Sequence, residues 1–230
     1  MDKLLEIIGT LLLLYVVYHY VLHPEHPPQE MPPQIERNFT FPLDDGRAVR
    51  VRVTADPTDL VNVPPQTAPC AEWFRRLHRT GHRQMRPLYE TIAREVRHER
   101  YELDRAVLRM VQEMPYREIP DRYREQPTSN VWYPAVALQE GYGDCDTKVL
   151  LAASLLTHHH PVLVLHGMHH AIVAVPGIPA PGDHYVRAVG RTWLLCELTH
   201  PGRIGRVSEE VWWDVRTGKY EHFLVPGKKF

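Results

Sequence analysis

The stretch Gly141-Tyr142-Gly143-Asp144-Cys145-Asp146-Thr147-Lys148, followed by the apolar run 149–156, decides the fold of this chain. It predicts a buried helix that begins at Cys145, with Asp144 as its N-cap and Gly143 allowing a tight turn before it. A helix N-terminus carries about half a positive charge, so it stabilises a thiolate and lowers a thiol pKa. We therefore expect Cys145 to be a nucleophile, and the alternative is a small buried cysteine on a core helix.

Two short apolar segments downstream carry the partners that a nucleophilic thiol needs. Residues 169–175 predict a strand that ends at Pro176-Gly177, and residues 191–199 predict a second strand with Glu197 in apolar surroundings. A thiol nucleophile requires a base, and the base requires a third group that holds its ring. Adjacent strands lie about 5 Å apart, so a histidine of the first strand can meet Glu197 if their side chains share a face.

The alternation of side chains along a strand separates the candidates within each segment. His169 and His170 point to opposite faces, and the alternation alone does not name the base. On the second strand Glu197 shares a face with Trp193, whereas Cys196 points away from it. We therefore expect Cys196 to belong to the core.

The chain resembles the transglutaminase-like superfamily of papain-fold cysteine enzymes. The resemblance rests on Gly143-Asp144-Cys145-Asp146 with its leucine-rich helix, on His170 before an apolar strand, and on Glu197-Leu198-Thr199. Residues 110–116 are similar to the end of the family's lead-in helix, and the resemblance covers residues 106–213.

The resemblance implies an α+β fold, with a helical N-terminal half and an antiparallel sheet packed on the cysteine helix. It assigns Cys145 as nucleophile, His170 as base and Glu197 as orienting acid, where many relatives have aspartate. It implies acyl transfer on peptide or side-chain amides through a thioester on Cys145, with a polypeptide substrate and without a cofactor. We favour hydrolysis, because the sequence contains no separate calcium-binding or substrate domain. The alternatives are a cross-linking transglutaminase and a non-catalytic interaction module on the same fold.

The N-terminal segment predicts a membrane anchor over residues 1–23. Residues 4–22 are almost wholly apolar and would span about 28 Å as a helix, close to the ~30 Å hydrocarbon core. Three tyrosines near the far end suit a membrane interface, and no small-residue cleavage site follows. Lys3 precedes the span, which favours a single-pass protein with an extracytoplasmic catalytic domain. A buried core helix or a leader peptide is the alternative.

The rest of the chain divides into a spacer and one enzyme-sized domain. Residues 24–69 begin as a Pro-rich extended spacer and continue into a β-hairpin, with strands at 38–43 and 48–53 and a turn at Asp45-Gly46. Residues 70–230 form the expected catalytic domain. Its first helices are predicted at 70–79, 83–97 and 101–113.

Charge and metal-ligand patterns narrow the function classes further. A formal net charge of −1 gives no broad basic field, so we expect no nucleic-acid partner. The chain has 15 histidines, which raises a metal-binding alternative, but it contains no HExxH motif and no paired Cys-x-x-Cys spacing. We expect no metal site and a structural role for His158-His159-His160. Three cysteines do not form a disulfide framework, although Cys70 could pair with Cys196 in an oxidising compartment.

Overall fold

A computed structural model describes residues 35–42, 48–55, 70–96, 100–123 and 126–227. All of them belong to one compact unit, Gln34–Phe230. The predicted anchor, most of the predicted spacer and the predicted hairpin turn lie outside the described residues. None of the described helices is both long enough and apolar enough to cross a membrane.

The described chain is an α+β fold with an antiparallel sheet, as the sequence predicted. Its helices are α1 (Cys70–Glu95), α2 (Arg100–Glu113), α3 (Pro134–Glu140), α4 (Cys145–Leu156) and α5 (Glu209–Arg216). Its strands are β1 (Ile35–Pro42), β2 (Ala48–Ala55), β3 (Arg122–Tyr123), β4 (Gln126–Pro127), β5 (Val162–His166), β6 (Ala171–Pro176), β7 (Tyr185–Ala188), β8 (Arg191–Cys196) and β9 (Glu221–Val225).

The structure shows the two paired strands of the predicted β-hairpin, whose turn lies outside the described residues. Strands β1 and β2 pair antiparallel, with Ile35 opposite Ala55 and Pro42 opposite Ala48. The hairpin belongs to the same compact unit as the helices and the larger sheet.

The prediction of two helices at 70–79 and 83–97 was wrong, because α1 is a single continuous helix. The two predicted helices left a gap that contains Gly81, yet the helix continues through it. A Cβ atom at Gly81 would lie 2.5 Å from the Ser154 Oγ atom of α4 and 2.8 Å from the Pro134 Cγ atom of α3. The glycine therefore allows the close approach of three helices, and it does not end the first one.

The main sheet has five antiparallel strands in the order β7-β8-β6-β5-β9, and its three inner strands are largely buried on both faces. One face packs in the large core with α4, through residues such as Val164, Val173 and Cys196. The opposite face packs against α5, through residues such as Ile172 and Trp193. A loop connects β6 to β7 and carries Ile178, which is 93% exposed.

Candidate active site

The N-terminus of α4 has the capped geometry that the sequence predicted. The Asp144 Oδ1 atom accepts a hydrogen bond of 2.9 Å from the Thr147 backbone N–H. The backbone N–H of Gly143 donates to the Pro115 carbonyl at 3.2 Å, which ties this turn to the segment after α2. A Cβ atom at Gly143 would lie 2.9 Å from the Thr147 Cγ2 atom, so the tight turn favours glycine. Cys145 thus starts the helix from a fixed position.

The electrostatics of Cys145 differ from the sequence expectation of a lowered thiol pKa. The side chain is buried, with 7% of the residue exposed. Burial raises the pKa of the Cys145 thiol to about 12, and the carboxylates of Asp146 and Asp144 add to the effect. Burial of the thiol, together with the two flanking acidic side chains, outweighs the stabilisation of a thiolate by the helix N-terminus. The resting thiol is therefore neutral at neutral pH, and its proton must be removed when it reacts.

His170 and Glu197 lie together at the ends of neighbouring strands. His170 immediately precedes β6 and Glu197 immediately follows β8, so both strands are shorter than the sequence indicated. The His170 Nε2 atom lies 3.0 Å from the Glu197 Oε2 atom. His169 is exposed, so of the two candidate histidines the structure brings His170 to the carboxylate.

The Glu197 carboxylate is almost fully buried and is held by four hydrogen bonds. Its Oε1 atom accepts from the Leu198 N–H at 2.8 Å, the Thr199 N–H at 3.0 Å and the Thr199 hydroxyl at 2.8 Å. Its Oε2 atom faces His170. Burial alone would raise the pKa of Glu197, but the hydrogen bond and charge of His170, with the Thr199 bonds, lower it to about 2. The group is therefore an anion with a fixed direction.

The Cys145 sulfur lies beside the residue that follows His170. The Ala171 backbone N–H donates a hydrogen bond to the sulfur, an interaction that opposes the rise in the thiol pKa. Since Glu197 is an anion, the His170 Nε2 atom carries the proton of their hydrogen bond. The Nδ1 atom is then the ring nitrogen left to exchange a proton with a thiol. The arrangement has the parts needed for nucleophilic catalysis by a cysteine.

The histidine clusters have structural contacts. His158 and His160 lie just beyond the C-terminal end of α4. The His158 ring stacks on His82, with ring centroids 3.7 Å apart, and His160 pairs with the buried Asp104 at 2.7 Å. Within the described ranges, no group of three or more histidine, cysteine or acidic side chains is arranged to hold a metal ion.

All three cysteines are free thiols in this structure. Cys196 is 1% exposed and belongs to the large core, which confirms the sequence expectation for this residue. Cys70, at the start of α1, is half-buried and is not joined to Cys196. The disulfide considered from the sequence is therefore not formed here.

Comparison of the chain with family models, with curated proteins and with solved structures gives no match.

Two buried polar side chains near the site were not singled out from the sequence. Lys148 lies one turn after Cys145 on α4, and Gln112 lies near the end of α2. Both donate hydrogen bonds to backbone carbonyls of the loop after β8, which carries Glu197. A sequence signal existed for Lys148, because residues 145 and 148 share one face of a helix. No comparable signal marked Gln112.

Proposed function

We propose that this chain is a cysteine-dependent acyl-transfer enzyme of transglutaminase-like, papain-like fold. Its catalytic residues would be Cys145, His170 and Glu197. The single observation that carries the proposal is the 3.0 Å contact between the His170 Nε2 atom and a buried, ionised Glu197. The hydrogen bond from the Ala171 N–H to the Cys145 sulfur supports it, because it brings the thiol to the same strand end.

The proposed substrate is a peptide or side-chain amide of a polypeptide. The Cys145 thiol passes its proton to the His170 Nδ1 atom as its sulfur bonds to the amide carbonyl carbon. The carbon–nitrogen bond then breaks, the amine leaves with the proton from His170, and a thioester remains on Cys145. Water attacks the thioester and gives a proton to His170. The carbon–sulfur bond breaks, and the returned proton restores the thiol.

Glu197 and the start of α4 have supporting roles in this scheme. Glu197 holds the imidazole in the tautomer that can accept the thiol proton and stabilises the imidazolium that forms. The backbone N–H of Cys145, at a helix N-terminus, is suited to donate to the oxyanion of the tetrahedral intermediate. Because the thiol is neutral at rest, the reaction depends on the base rather than on a preformed thiolate.

Hydrolysis is our preferred outcome, and attack of an amine on the same thioester would make the enzyme a cross-linker. A matched assay separates the two outcomes. A glutamine-containing peptide is incubated with and without a primary amine, and mass spectrometry distinguishes the glutamate product from the amine adduct. Appearance of the adduct alone would reverse our preference. Absence of both products across varied peptides would favour the interaction module on the same fold.

The assignment of the nucleophile and the base is tested without a known substrate. The rate of Cys145 alkylation by iodoacetamide is measured against pH by peptide mass spectrometry for the wild type and His170→Ala, with Cys145→Ala as the blank. In His170→Ala we expect iodoacetamide to alkylate Cys145 only at strongly alkaline pH. Without a base to take its proton, the buried thiol has a pKa of about 12. His169→Ala, which removes an exposed neighbour, is the matched control. Equal Cys145 rates in the wild type and in His170→Ala would reject the proposed base.

We also propose that residues 1–23 anchor the chain in a membrane, with the enzyme on the extracytoplasmic side. The support is the apolar composition of residues 4–22 and the position of Lys3 before them. Carbonate extraction, followed by protease treatment of intact cells, tests both parts. Release of the protein into the soluble fraction would reject the anchor, and full protection from protease would reverse the orientation.

A further inference from the structure

Lys148 is a fully buried lysine that the proposed reaction does not use. None of its surface is exposed, which is rare for a lysine. Its Nζ atom donates to the Met114 carbonyl at 2.6 Å and to the Leu198 carbonyl at 3.0 Å. Burying an ammonium group is costly unless the group is hydrogen-bonded and its charge is compensated.

The two hydrogen bonds join the parts of the protein that carry the proposed site. Lys148 and Cys145 lie on the same helix, and Leu198 directly follows Glu197. Gln112 completes the connection from α2, because its Nε2 atom donates to the Glu197 carbonyl at 2.7 Å and to the Gly202 carbonyl at 3.0 Å. The backbone around Glu197 is thus held by one side chain from each of two helices.

The turn that Lys148 holds also sets the direction of the Glu197 carboxylate. The Oε1 atom of Glu197 is bound by the backbone N–H groups of Leu198 and Thr199. If the Leu198 peptide moved, these donors would move, and the carboxylate would change its direction relative to His170. Burial lowers the pKa of Lys148 to about 8, and the charge of Glu197 opposes this shift because it favours the ammonium form of the lysine.

We propose that Lys148 is a positioning residue. It fixes the turn that carries Glu197 to the helix that carries Cys145, and its positive charge balances the buried carboxylate. This inference rests on the proposed function, because it assigns Lys148 a role through Glu197 and His170. In this role Lys148 acts through the backbone of Leu198 and takes no part in proton transfer.

The alternative is a lysine that only stabilises the fold, and the two roles predict different pH profiles. A structural lysine that is replaced without unfolding would change the Cys145 reaction rate by a similar factor at every pH. A positioning cation lies close to the Glu197–His170 pair and disfavours a second positive charge there. Its removal would favour protonation of the pair, and the acidic limb of the rate profile would move to higher pH.

The other titratable groups near the site remain the same in the variants, so they do not produce this shift. Next to Cys145 on the chain are the carboxylates of Asp144 and Asp146. The further groups, from the neighbouring elements, are His166 at the end of β5, Tyr116 and Glu118 after α2, and Tyr220 with Asp214 and Glu210 from the α5–β9 region.

The experiment compares Lys148→Met with Lys219→Met. Lys219 is an exposed lysine that pairs with Asp214 on the surface, so it serves as the control. The rate of Cys145 alkylation by iodoacetamide is measured across pH by peptide mass spectrometry, with thermal unfolding recorded for each protein. We expect Lys148→Met to slow the reaction about 10-fold to 100-fold at neutral pH and to shift the acidic limb upward. Lys219→Met should behave as the wild type does.

A second variant keeps the inference testable if Lys148→Met does not fold. Lys148→Gln retains a hydrogen-bond donor and loses the charge, and it should show the same upward shift of the limb. Lys148→Arg keeps the charge, and its limb should stay at the wild-type position. A uniform loss of rate in Lys148→Met or Lys148→Gln, with an unmoved limb, would overturn the inference.

His170→Ala, measured in the same series, separates this inference from the proposed function. If His170→Ala changes the Cys145 rate and the Lys148 variants leave the limb in place, the positioning role fails and the proposed base stands. If His170→Ala leaves the Cys145 rate unchanged, the proposed function fails and the role of Lys148 fails with it.

Discussion

The His160 Nε2 atom lies 2.7 Å from the Asp104 Oδ1 atom, and both side chains are almost completely removed from solvent. The Nδ1 atom of the same ring lies 2.8 Å from the Pro161 carbonyl oxygen, so both ring nitrogens face oxygen acceptors. Asp104 belongs to α2 and His160 follows α4. The pair therefore holds the C-terminal end of α4 against α2. The hydrogen bonds of Lys148 hold the N-terminal end of α4 against the Met114 and Leu198 carbonyls.

Asp104→Ala should destabilise the fold by about 1–3 kcal/mol, because it leaves a buried ring nitrogen without its partner. The free energy of unfolding is measured by urea titration. Asp121→Ala, which removes an exposed carboxylate, is the matched control. If the two variants were equally stable, the buried pair would contribute nothing to the fold.

Glu197→Gln should lower acyl-transfer activity by up to about 10⁴-fold. The amide group would donate to the His170 Nε2 atom, so the ring would carry its proton on the Nδ1 atom and could not accept one from Cys145. The measurement is kcat/KM on a peptide amide, together with the Cys145 alkylation rate. Glu210→Gln, an exposed change on α5, is the control. A loss of less than about tenfold would contradict the orienting role.

His166 should make the protein less stable as the pH rises. Its hydrogen bond to the Asp146 carboxylate raises the pKa of His166 from 6.5 to about 10. A raised pKa means that the stabilisation is complete below pH 6.5 and is lost as the pH rises through about 10.

The free energy of unfolding, measured by urea titration at several pH values, checks this dependence. His166→Gln should flatten the fall of stability over that pH range, and His169→Gln, at an exposed position, should leave it unchanged. Parallel curves for the wild type and His166→Gln would show that the Asp146 contact does not form in solution.

Gly81→Ala should destabilise the protein by about 1–3 kcal/mol, although alanine is the better helix former by about 1 kcal/mol. The new Cβ atom would lie 2.5 Å from the Ser154 Oγ atom and 2.8 Å from the Pro134 Cγ atom. Adding Ser154→Ala removes the first clash and should recover part of the loss. Arg76→Ala, on the exposed side of the same helix, is the control for thermal unfolding. A stabilised Gly81→Ala variant would refute the close approach.

Local patterns in the sequence predicted the parts of the fold that depend on local chemistry. The cap at Asp144, the start of α4 at Cys145 and the hairpin followed from capping residues and strand alternation. The pairing of His170 with Glu197 was also expected, since two neighbouring strands can present their end residues to each other. The choice of His170 over His169 as the base came from the family resemblance, because strand alternation did not distinguish the two histidines.

Properties that depend on tertiary packing could not be read in the same way. The unbroken course of α1 through Gly81 was not predicted, since the helices that approach this glycine lie 50 or more residues away in sequence. The thiol pKa was expected to fall because a helix N-terminus was visible in the sequence, whereas the burial that raises it was not. Lys148 reads as a polar residue of the first helical turn, and its carbonyl partners are distant in the chain.

The exposed connection between β6 and β7 has a consequence for the integrity of the site. His170 lies before this loop and Glu197 lies after it, yet the antiparallel pairing of β6 with β8 already holds the two strands side by side. A chain cut at Ile178 would therefore keep its proposed base and acid together as two associated fragments. The site would therefore assemble without an intact peptide bond at this point of the chain.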